Sequence, residues 1–494
     1  MKFLSTRGKD FAKNGAEAIA KGLASDGGLF VPELFLNVYS EIDAMLEEEY
    51  CDRAARVIGS FLPEYDKEKL KIACEKAYSR FEENDPAPVV RIDEDLYILE
   101  LFHGPTLAFK DVALTLLPYL LREGATISGI KEKILILVAT SGDTGKAALS
   151  GFKDADGINI MVFYPSEGVS DMQKLQMCTQ EGENVNVVGV KGNFDDCQTA
   201  VKKIFSNKEY NEQLKEKGIV LSSANSINFG RLVPQITYYF STYCDMVNAG
   251  EIEKGEKINF VVPTGNFGNI LAGYYAKKMG LPIDKLVCAS NSNNVLTEFF
   301  ADGSYDANRE FFKTTSPSMD ILISSNLERL LFELSDRDAD LTAKRMEELK
   351  TYGKYQITAE ETDKLEKEYY ADFCDEEECS QTINEFFEEY GYVLDPHTAV
   401  AVNVEEKFKS YTENRSKTVV LSTASPYKFP QSVLKAITGK GVADAFVASN
   451  KLENETGMPV PDALKELKTK KVRFTETVDR TQTEKAVNEF INGF

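Results

Sequence analysis

The sequence predicts an α/β protein whose core is a largely parallel β-sheet. Beyond about residue 92, short apolar runs rich in β-branched residues alternate with segments whose apolar residues recur at helical spacing. This alternation is typical of parallel strands that are buried between layers of helices. The chain has 494 residues. Because a domain with a single hydrophobic core is usually shorter than this, we also expect two or three domains.

A mainly helical domain is expected over residues 1–92. Apolar residues recur there at helical spacing in the segments 16–23, 39–62 and 67–81. A cluster of Asn, Asp and Pro at 84–88 follows these segments. Because Pro and Asn favour turns over helices, this cluster predicts a domain boundary.

The remaining residues, 93–494, carry the strand signals. We expect a small α/β domain nested at about 136–222 within this larger region. Residues from about 301 to 395 interrupt the strand pattern with acidic helical sequence and predict an insertion or peripheral subdomain, whose acidic runs we interpret as solvated helix faces. The predicted strands lie at 134–138, 158–164, 185–190, 219–222, 258–262, 286–289 and 418–421.

Charge and composition exclude several classes of function. Lys and Arg total 57 and Asp and Glu total 79, so the net charge of −22 repels nucleic acid and acidic membranes. The N-terminal residues lack the apolar core of a signal peptide, and no apolar run reaches the roughly 18 residues of a membrane span. We therefore expect a cytoplasmic protein that binds neither nucleic acid nor membrane.

Cysteine and histidine usage narrows the chemistry. The eight cysteines are scattered without CxxC pairs, so we expect reduced thiols and no zinc or redox site. The two histidines, His103 and His397, leave little room for a histidine-rich metal site or a Ser-His-Asp hydrolase. We expect no metal ion, and we expect proton transfer to depend on lysine.

Two strand-to-helix turns are suited to an anion. Residues 263–269 (Pro-Thr-Gly-Asn-Phe-Gly-Asn) and 139–145 (Ala-Thr-Ser-Gly-Asp-Thr-Gly) each follow a predicted strand and precede a helical run. Backbone N–H groups converge in such turns, and a helix N-terminus adds partial positive charge. The second turn is not a nucleotide P-loop, because Thr140 and Ala147 stand where that motif needs Gly and Ser or Thr. For both turns, the alternative interpretation is a plain capping turn that binds no ligand.

Lys110 and the strand end at Ser422 are two further candidates. Lys110 lies in an apolar segment, 103–111 (His-Gly-Pro-Thr-Leu-Ala-Phe-Lys-Asp), and burial would favour the neutral amine that attacks an aldehyde. The predicted strand 418–421 is followed by Ser422 and Thr423, and a hydroxyl there is able to hydrogen-bond a ring nitrogen. A solvated surface lysine and a turn cap are the ordinary alternatives.

Taken together, these segments resemble the threonine synthase family in its longer form. The resemblance covers nearly the full chain and includes residues 5–8 (Ser-Thr-Arg-Gly) and 22–29 (Gly-Leu-Ala-Ser-Asp-Gly-Gly-Leu) near the start. It also includes residues 226–231 (Ser-Ile-Asn-Phe-Gly-Arg) and 316–320 (Ser-Pro-Ser-Met-Asp). Ser425 is a departure, because members of the family often have His at this position.

The resemblance implies the fold of type-II pyridoxal-phosphate (PLP) enzymes, similar to the β subunit of tryptophan synthase, with an added N-terminal helical domain. It implies PLP as the cofactor, held by Lys110 as a Schiff base. The cofactor-binding residues that it implies are Lys110, Gly265, Asn266, Phe267, Gly268, Asn269 and Thr423, and the substrate-binding residues are Ser141, Gly142, Asp143, Thr144, Asn228 and Arg231.

The activity that the resemblance implies is conversion of O-phospho-L-homoserine and water into L-threonine and phosphate, by γ-elimination and β-addition, with Lys110 as the main proton carrier. Two alternatives stay open. One is a PLP-dependent Ser/Thr dehydratase or phospho-amino-acid lyase, which stops after elimination. The other, of a different class, is a catalytically silent protein that binds a phospho-metabolite. The sequence does not distinguish a monomer from a homodimer.

Overall fold

The computed structural model describes residues 1–83, 85–140, 142–166, 169, 171–192 and 194–493. Within these residues the chain forms four β-sheets. The strands are β1 (Phe3–Ser5), β2 (Phe11–Ala12), β3 (Phe30–Pro32), β4 (Val89–Arg91), β5 (Leu96–Glu100), β6 (Lys133–Ala139), β7 (Ile158–Pro165), β8 (Val185–Val190), β9 (Ile219–Ser222), β10 (Ile258–Pro263), β11 (Ile283–Ser290), β12 (Ser304–Asp306), β13 (Lys354–Gln356), β14 (Tyr369–Phe373), β15 (Thr418–Ser422) and β16 (Thr477–Val478).

Helices occupy most of the remaining chain. The α-helices are α1 (Gly15–Lys21), α2 (Ile42–Leu46), α3 (Tyr50–Phe61), α4 (Lys67–Tyr78), α5 (Lys110–Leu114), α6 (Leu117–Ile127), α7 (Asp143–Phe152), α8 (Asp171–Cys178), α9 (Phe194–Ser206), α10 (Lys208–Glu216), α11 (Phe229–Asn248), α12 (Gly268–Lys278), α13 (Val295–Asp302), α14 (Leu327–Leu334), α15 (Ala339–Tyr352), α16 (Ala359–Glu368), α17 (Glu376–Tyr390), α18 (Pro396–Tyr411), α19 (Pro430–Thr438), α20 (Ala445–Thr456), α21 (Asp462–Lys465) and α22 (Thr483–Ile491). Short 3₁₀ helices lie at Val38–Glu41, Pro317–Met319, Pro426–Lys428, Glu466–Lys468 and Arg480–Gln482. Among the described residues, no helix is both long enough and apolar enough to cross a lipid bilayer.

Two parallel sheets form the core. The larger has the strand order β14-β11-β10-β15-β5-β4, and its neighbouring strands are parallel except β4, which is antiparallel to β5. The second sheet, β16-β8-β7-β6-β9, is parallel throughout. Strands β10 and β15 are buried along their whole length, as strands covered on both faces must be. The predicted α/β class with parallel, buried strands is confirmed.

Each of the seven predicted strands is present, but the sequence analysis missed others. Strands β5 and β14 belong to the larger parallel sheet and β16 to the second one, and β4 pairs at an edge of the larger sheet. Strand β14 lies inside the acidic segment 301–395 and pairs in parallel with β11. This segment therefore adds an edge strand to the larger sheet, besides the helices that the sequence predicted.

Helix α11 connects the N-terminal region to the core. Almost every residue of this 20-residue helix is buried, which requires partners on all sides. The ring of Phe229 at its start lies 4.7 Å from the ring of Phe3 and 5.6 Å from that of Phe61. The predicted N-terminal helices are present as α1 to α4, joined by the antiparallel sheet β2-β1-β3. Asn84, in the predicted boundary cluster, lies outside the described residues.

Candidate active site

Four of the segments selected from the sequence meet beyond the carboxyl ends of the parallel strands. The turn before α5, the turn between β6 and α7, the turn between β10 and α12, and the end of β15 all lie on this side of the sheets. One hydrogen bond joins the turn before α5 to the end of β15, and another joins the turn between β6 and α7 to the segment 316–320. The N–H of Phe109 donates to the carbonyl of Thr423 at 2.9 Å, and the hydroxyl of Ser318 donates to Asp143 at 3.3 Å. Open α/β sheets bind ligands at this edge.

Lys110 begins helix α5 and lies half-buried at this junction. Its Nζ atom lies 4.5 Å from the centroid of the Phe109 ring. Burial lowers the pKa of Lys110 to about 8. The carboxylate of Asp143 opposes this shift, and the cations of Arg231 and Lys428 add to it. The amine is therefore deprotonated in a usable fraction of molecules near neutral pH, as a nucleophile or base requires.

A tight turn presents Lys110. Leu107 adopts a left-handed conformation with φ of 62°, which is uncommon for a residue other than Gly. The buried carboxylate of Asp111 accepts hydrogen bonds from the N–H (2.7 Å) and hydroxyl (2.6 Å) of Thr106 and so closes the turn. Gly104 packs against Asp111, and a Cβ at Gly104 would lie 2.5 Å from the Cβ of Asp111. The carboxylate of Asp111 therefore stabilises the turn and does not form an ion pair with Lys110.

The turn between β10 and α12 has the geometry of an anion site. The N–H groups of residues 265–269 donate to no protein acceptor in the described part of the chain, and they surround the N-terminus of α12. Phe267 is left-handed, with φ of 63°, and is held there by its buried ring, 6.1 Å from the Phe300 ring. Gly265 is required by close contact, since a Cβ there would lie 2.7 Å from the carbonyl oxygen of Ser318.

Asn269 adds an unpaired side-chain donor to this turn. Its Oδ1 accepts hydrogen bonds from the hydroxyls of Tyr238 and Tyr239, which fixes the orientation of the amide. Its Nδ2 is buried and has no hydrogen-bond partner among the described residues. A buried donor without a partner costs free energy, so this atom is suited to an acceptor supplied by a ligand.

Neighbouring polar residues that the sequence analysis missed hold the turn in place. The hydroxyl of Ser324 donates to the carbonyl of Gly265 at 2.7 Å, and the amide of Asn326 donates to the carbonyl of Asn266 at 3.0 Å. Asn326 in turn accepts a hydrogen bond from the buried guanidinium of Arg329. The carbonyl groups of the turn are thus occupied by protein donors, while its N–H groups stay free.

The turn between β6 and α7 is organised by Thr140, which was not among the predicted substrate-binding residues. The Thr140 hydroxyl accepts hydrogen bonds from the N–H groups of Gly142 (3.0 Å) and Gly145 (2.9 Å). Gly142 has φ of 150°, a conformation that few other residues adopt. Thr144 is half-buried at the start of α7. Ser141, a predicted substrate ligand, lies outside the described residues.

Asp143 forms a buried ion pair. Its Oδ1 lies 3.0 Å from Nζ of Lys428, and it also accepts a hydrogen bond from the amide of Gln173 at 3.1 Å. Burial by itself would raise the pKa of Asp143, but Lys428 and Lys110 hold that pKa well below its ordinary value. The carboxylate is therefore charged and occupied by protein partners.

Arg231 is a buried cation without a carboxylate partner among the described residues. It is 3% exposed, its Nη1 donates to the carbonyl of Ala224 at 3.1 Å, and its Nε has no partner. Burial lowers the pKa of Arg231 to about 10, which leaves the guanidinium charged. Proteins rarely bury an unpaired charge, so Arg231 is suited to an anionic ligand.

The side-chain amide of Asn228 is hydrogen-bonded within the protein. Its Oδ1 accepts the N–H of Gly230 at 2.8 Å and caps helix α11. Its Nδ2 donates to the carbonyls of Ile19 and Ser223. Both ends of the amide are therefore used within the protein, and direct contact between Asn228 and a substrate stays a prediction.

Thr423 lies next to the Lys110 turn and is 6% exposed. Its hydroxyl forms no hydrogen bond with any residue in the described ranges. Its neighbour Ser422 shares a hydrogen bond of 3.0 Å with Thr398, whose hydroxyl donates to Asp395. Asp395 is thereby engaged by Thr398 and also caps helix α18.

Comparison with known proteins matches almost the whole chain. Residues 2–78 match the family described as threonine synthase N terminus, residues 83–355 the family of pyridoxal-phosphate dependent enzymes, and residues 398–491 the family described as threonine synthase, C-terminal. Threonine synthase of Saccharomyces cerevisiae is 37% identical in an alignment of 503 positions that covers 96% of this chain and 94% of that protein. The chain belongs to the threonine synthase family.

Two further relatives agree with this membership. The crystal structure of PLP-bound threonine synthase from Brucella melitensis is 36% identical, with a TM-score of 0.87 and 99% of both chains covered. The fold that the resemblance implied is therefore confirmed. Human threonine synthase-like 1 is 42% identical over 443 residues. These cover 87% of this chain, which spans 59% of the length of that longer relative.

His397 is a further residue of the junction that the sequence analysis did not select. Its Nε2 accepts a hydrogen bond from the N–H of Ser318 at 3.1 Å, so Nδ1 carries the proton that is shared with Asp395 at 2.8 Å. His103 is likewise engaged, at 2.7 Å from Glu100. In this member of the threonine synthase family, both histidines are thus hydrogen-bonded to other residues of the protein.

Proposed function

We propose that this chain binds PLP at Lys110 and converts O-phospho-L-homoserine and water into L-threonine and phosphate. The observation that carries the proposal is the combination of a desolvated amine, Lys110, with a turn at 265–269 whose N–H groups are unpaired. An amine that is neutral near pH 7 is suited to an aldehyde, and a helix N-terminus with free N–H groups is suited to a phosphate. Family membership supports both assignments.

The residues of the site fit PLP at three points. The free N–H groups of residues 265–269 and the unpaired Nδ2 of Asn269 would hold its phosphate. Lys110 would carry it covalently, and the free hydroxyl of Thr423 would face its ring nitrogen as a neutral partner. When bound, the cofactor supplies an electron sink for the carbanions that form on the substrate.

Arg231 would bind an anionic group of the substrate. Its planar guanidinium offers parallel N–H donors to a phosphate or carboxylate, and no protein carboxylate among the described residues competes for it. At the turn between β6 and α7, Thr144 would contribute its hydroxyl, whereas the N–H of Gly142 is already used by Thr140. Asp143 would not contact an anion directly, because its charged carboxylate repels one.

Lys110 would also move the protons of the reaction. Released from the cofactor, its amine would take the proton from Cα of the substrate and would return protons at the later carbon centres. His103 and His397 are both engaged by protein partners, so neither competes for this role. Arg231 would hold the substrate so that its Cα hydrogen lies within reach of Nζ of Lys110.

We also propose that the protein is located in the cytoplasm. All eight cysteines of the chain are free thiols. Free thiols are typical of proteins in reducing compartments, whereas secreted proteins usually pair them.

The test of this function is an assay with O-phospho-L-homoserine that measures threonine, phosphate and keto acid together. A threonine synthase releases threonine and phosphate in equal amounts. A dehydratase or a phospho-amino-acid lyase would release a keto acid and no threonine, and this outcome would overturn the proposal. A protein that only binds the phospho-metabolite would release none of the three products.

A further inference from the structure

A buried amine, that of Lys428, contacts the turn that presents Lys110. Lys428 ends the 3₁₀ helix that follows β15, and its side chain is only 1% exposed. Nζ donates to the carbonyl of Thr106 at 2.8 Å, in the turn that presents Lys110, and lies 3.0 Å from Oδ1 of Asp143. The Asp143 side chain is 3% exposed. In such a buried pair, removal of one partner leaves an uncompensated charge.

Four charged groups act electrostatically on Lys110: Asp111, Asp143, Arg231 and Lys428. The carboxylate of Asp111 is held by Thr106 within the turn. Asp143 is the carboxylate that acts most strongly on Lys110, and its cationic partner is Lys428. Lys110 is the other cation that lowers the pKa of Asp143, so without Lys428 it would be left to balance that carboxylate.

We propose that Lys428 is a positioning residue for Lys110: its ammonium group engages Asp143 and prevents that carboxylate from pairing with Lys110 and holding a proton on it. This inference rests on the proposed function, because it concerns the availability of the Lys110 amine. The physical basis is Coulombic. A carboxylate within about 4–6 Å favours the charged form of an amine by roughly 1–3 pKa units, and a nearby ammonium opposes it.

The pair predicts a specific pattern in four variants. Lys428→Met leaves Asp143 unpaired beside Lys110 and should raise the pH at which Lys110 becomes reactive by about one unit or more. Asp143→Asn leaves the two cations and should lower that pH. The double variant removes both charges and should return close to the wild type. Lys428→Arg keeps the charge and should shift the midpoint least.

The measurement is the pH dependence of covalent PLP uptake by the full-length apoprotein. PLP is added at a series of pH values, samples are reduced with borohydride at short times, and the Lys110 peptide is quantified by mass spectrometry. The rate plotted against pH gives the midpoint for each variant. A pair that only stabilised the fold would slow uptake at every pH without moving the midpoint in opposite directions.

Opposite shifts in the two single variants, cancelled in the double variant, are the expected result. Equal midpoints in all variants, with label on Lys110 in the wild type, would overturn the role of Lys428 and leave the proposed function intact. If the wild type carries no label on Lys110, the proposed function itself fails. If Lys428→Met does not fold, Asp143→Asn decides, since an unchanged midpoint in that variant contradicts the inference.

Discussion

The N–H of Phe109 donates a hydrogen bond of 2.9 Å to the carbonyl oxygen of Thr423 and so ties the turn before Lys110 to the end of strand β15. Ala108 and Ala424 form an antiparallel bridge beside it. These contacts hold the Lys110 amine and the Thr423 hydroxyl in one rigid frame. A ligand that contacts both groups is bound without reordering of the backbone, which is the purpose of preorganised sites.

Gly268→Val should weaken PLP binding without destabilising the apoprotein. A Cβ at Gly268 meets its nearest protein atom, in Asn326, at 3.5 Å, which is an ordinary contact. The added methyl groups would instead occupy the space above the free N–H groups where the phosphate is proposed to bind. PLP titration and thermal melting of the apoprotein measure the two effects separately.

Gly265→Ala is the matched control for that variant. Its Cβ would lie 2.7 Å from the carbonyl of Ser318, so we expect both the melting temperature and the PLP affinity to fall. Unchanged PLP affinity in Gly268→Val would show that the turn does not hold the cofactor phosphate.

Thr423→Val should lower PLP affinity by roughly fivefold, the effect of one lost hydrogen bond of about 1 kcal/mol, with little change in melting temperature. The Thr423 hydroxyl has no protein partner among the described residues, so the folded apoprotein loses no bond. Thr398→Val is the contrasting variant, because that hydroxyl bonds Asp395 and Ser422 and its loss should destabilise the fold. Full PLP affinity in Thr423→Val would rule out its contact with the ring.

Arg231→Lys should raise KM for O-phospho-L-homoserine by roughly 10- to 100-fold, because a charge-assisted hydrogen bond contributes about 1.5–3 kcal/mol and Lys does not reproduce the planar fork. Arg329→Lys serves as the control. The Arg329 guanidinium donates to the carbonyls of Phe30 and Ile227, so its loss should lower the melting temperature. Wild-type kinetics in Arg231→Lys would refute the contact with the substrate.

The rate of PLP uptake by the wild-type apoprotein should rise with pH and level off above a midpoint near pH 8. Burial lowers the pKa of Lys110 to about 8, and only the neutral amine attacks the aldehyde. Below the midpoint, each unit of pH should slow uptake about tenfold. A midpoint near 10.5, the ordinary pKa of a lysine, would mean that Lys110 is solvated in solution.

The seven predicted strands were found because each is a short run dominated by apolar residues and free of charged ones, the signal that a buried parallel strand gives. Strand β16 is only two residues long, and the sequence of β14 contains Asp372, so neither gives that signal. The candidate turns were recognisable because Gly and hydroxyl residues followed predicted strands. Ser425, which departs from the family, caps the 3₁₀ helix that carries Lys428.

Residues that act through distant partners were not predictable in the same way. Lys428 and Asp143 are 285 positions apart in the sequence, and nothing local indicates that they pair. His397 likewise meets Ser318 only through the folding of α18 against the 316–320 segment. A lysine between Tyr427 and Phe429, just after a buried strand, was the one available signal of a buried amine.

The central claim, that Lys110 carries PLP, is tested most directly by peptide mapping of the purified holoenzyme after borohydride reduction. Reduction makes the covalent link permanent, and mass spectrometry then locates the pyridoxyl group. We expect it on Lys110 alone. Lys110→Ala should carry no label and should turn over at least about 10³-fold more slowly, as loss of a combined nucleophile and base implies. Label recovered on any other lysine would contradict the account.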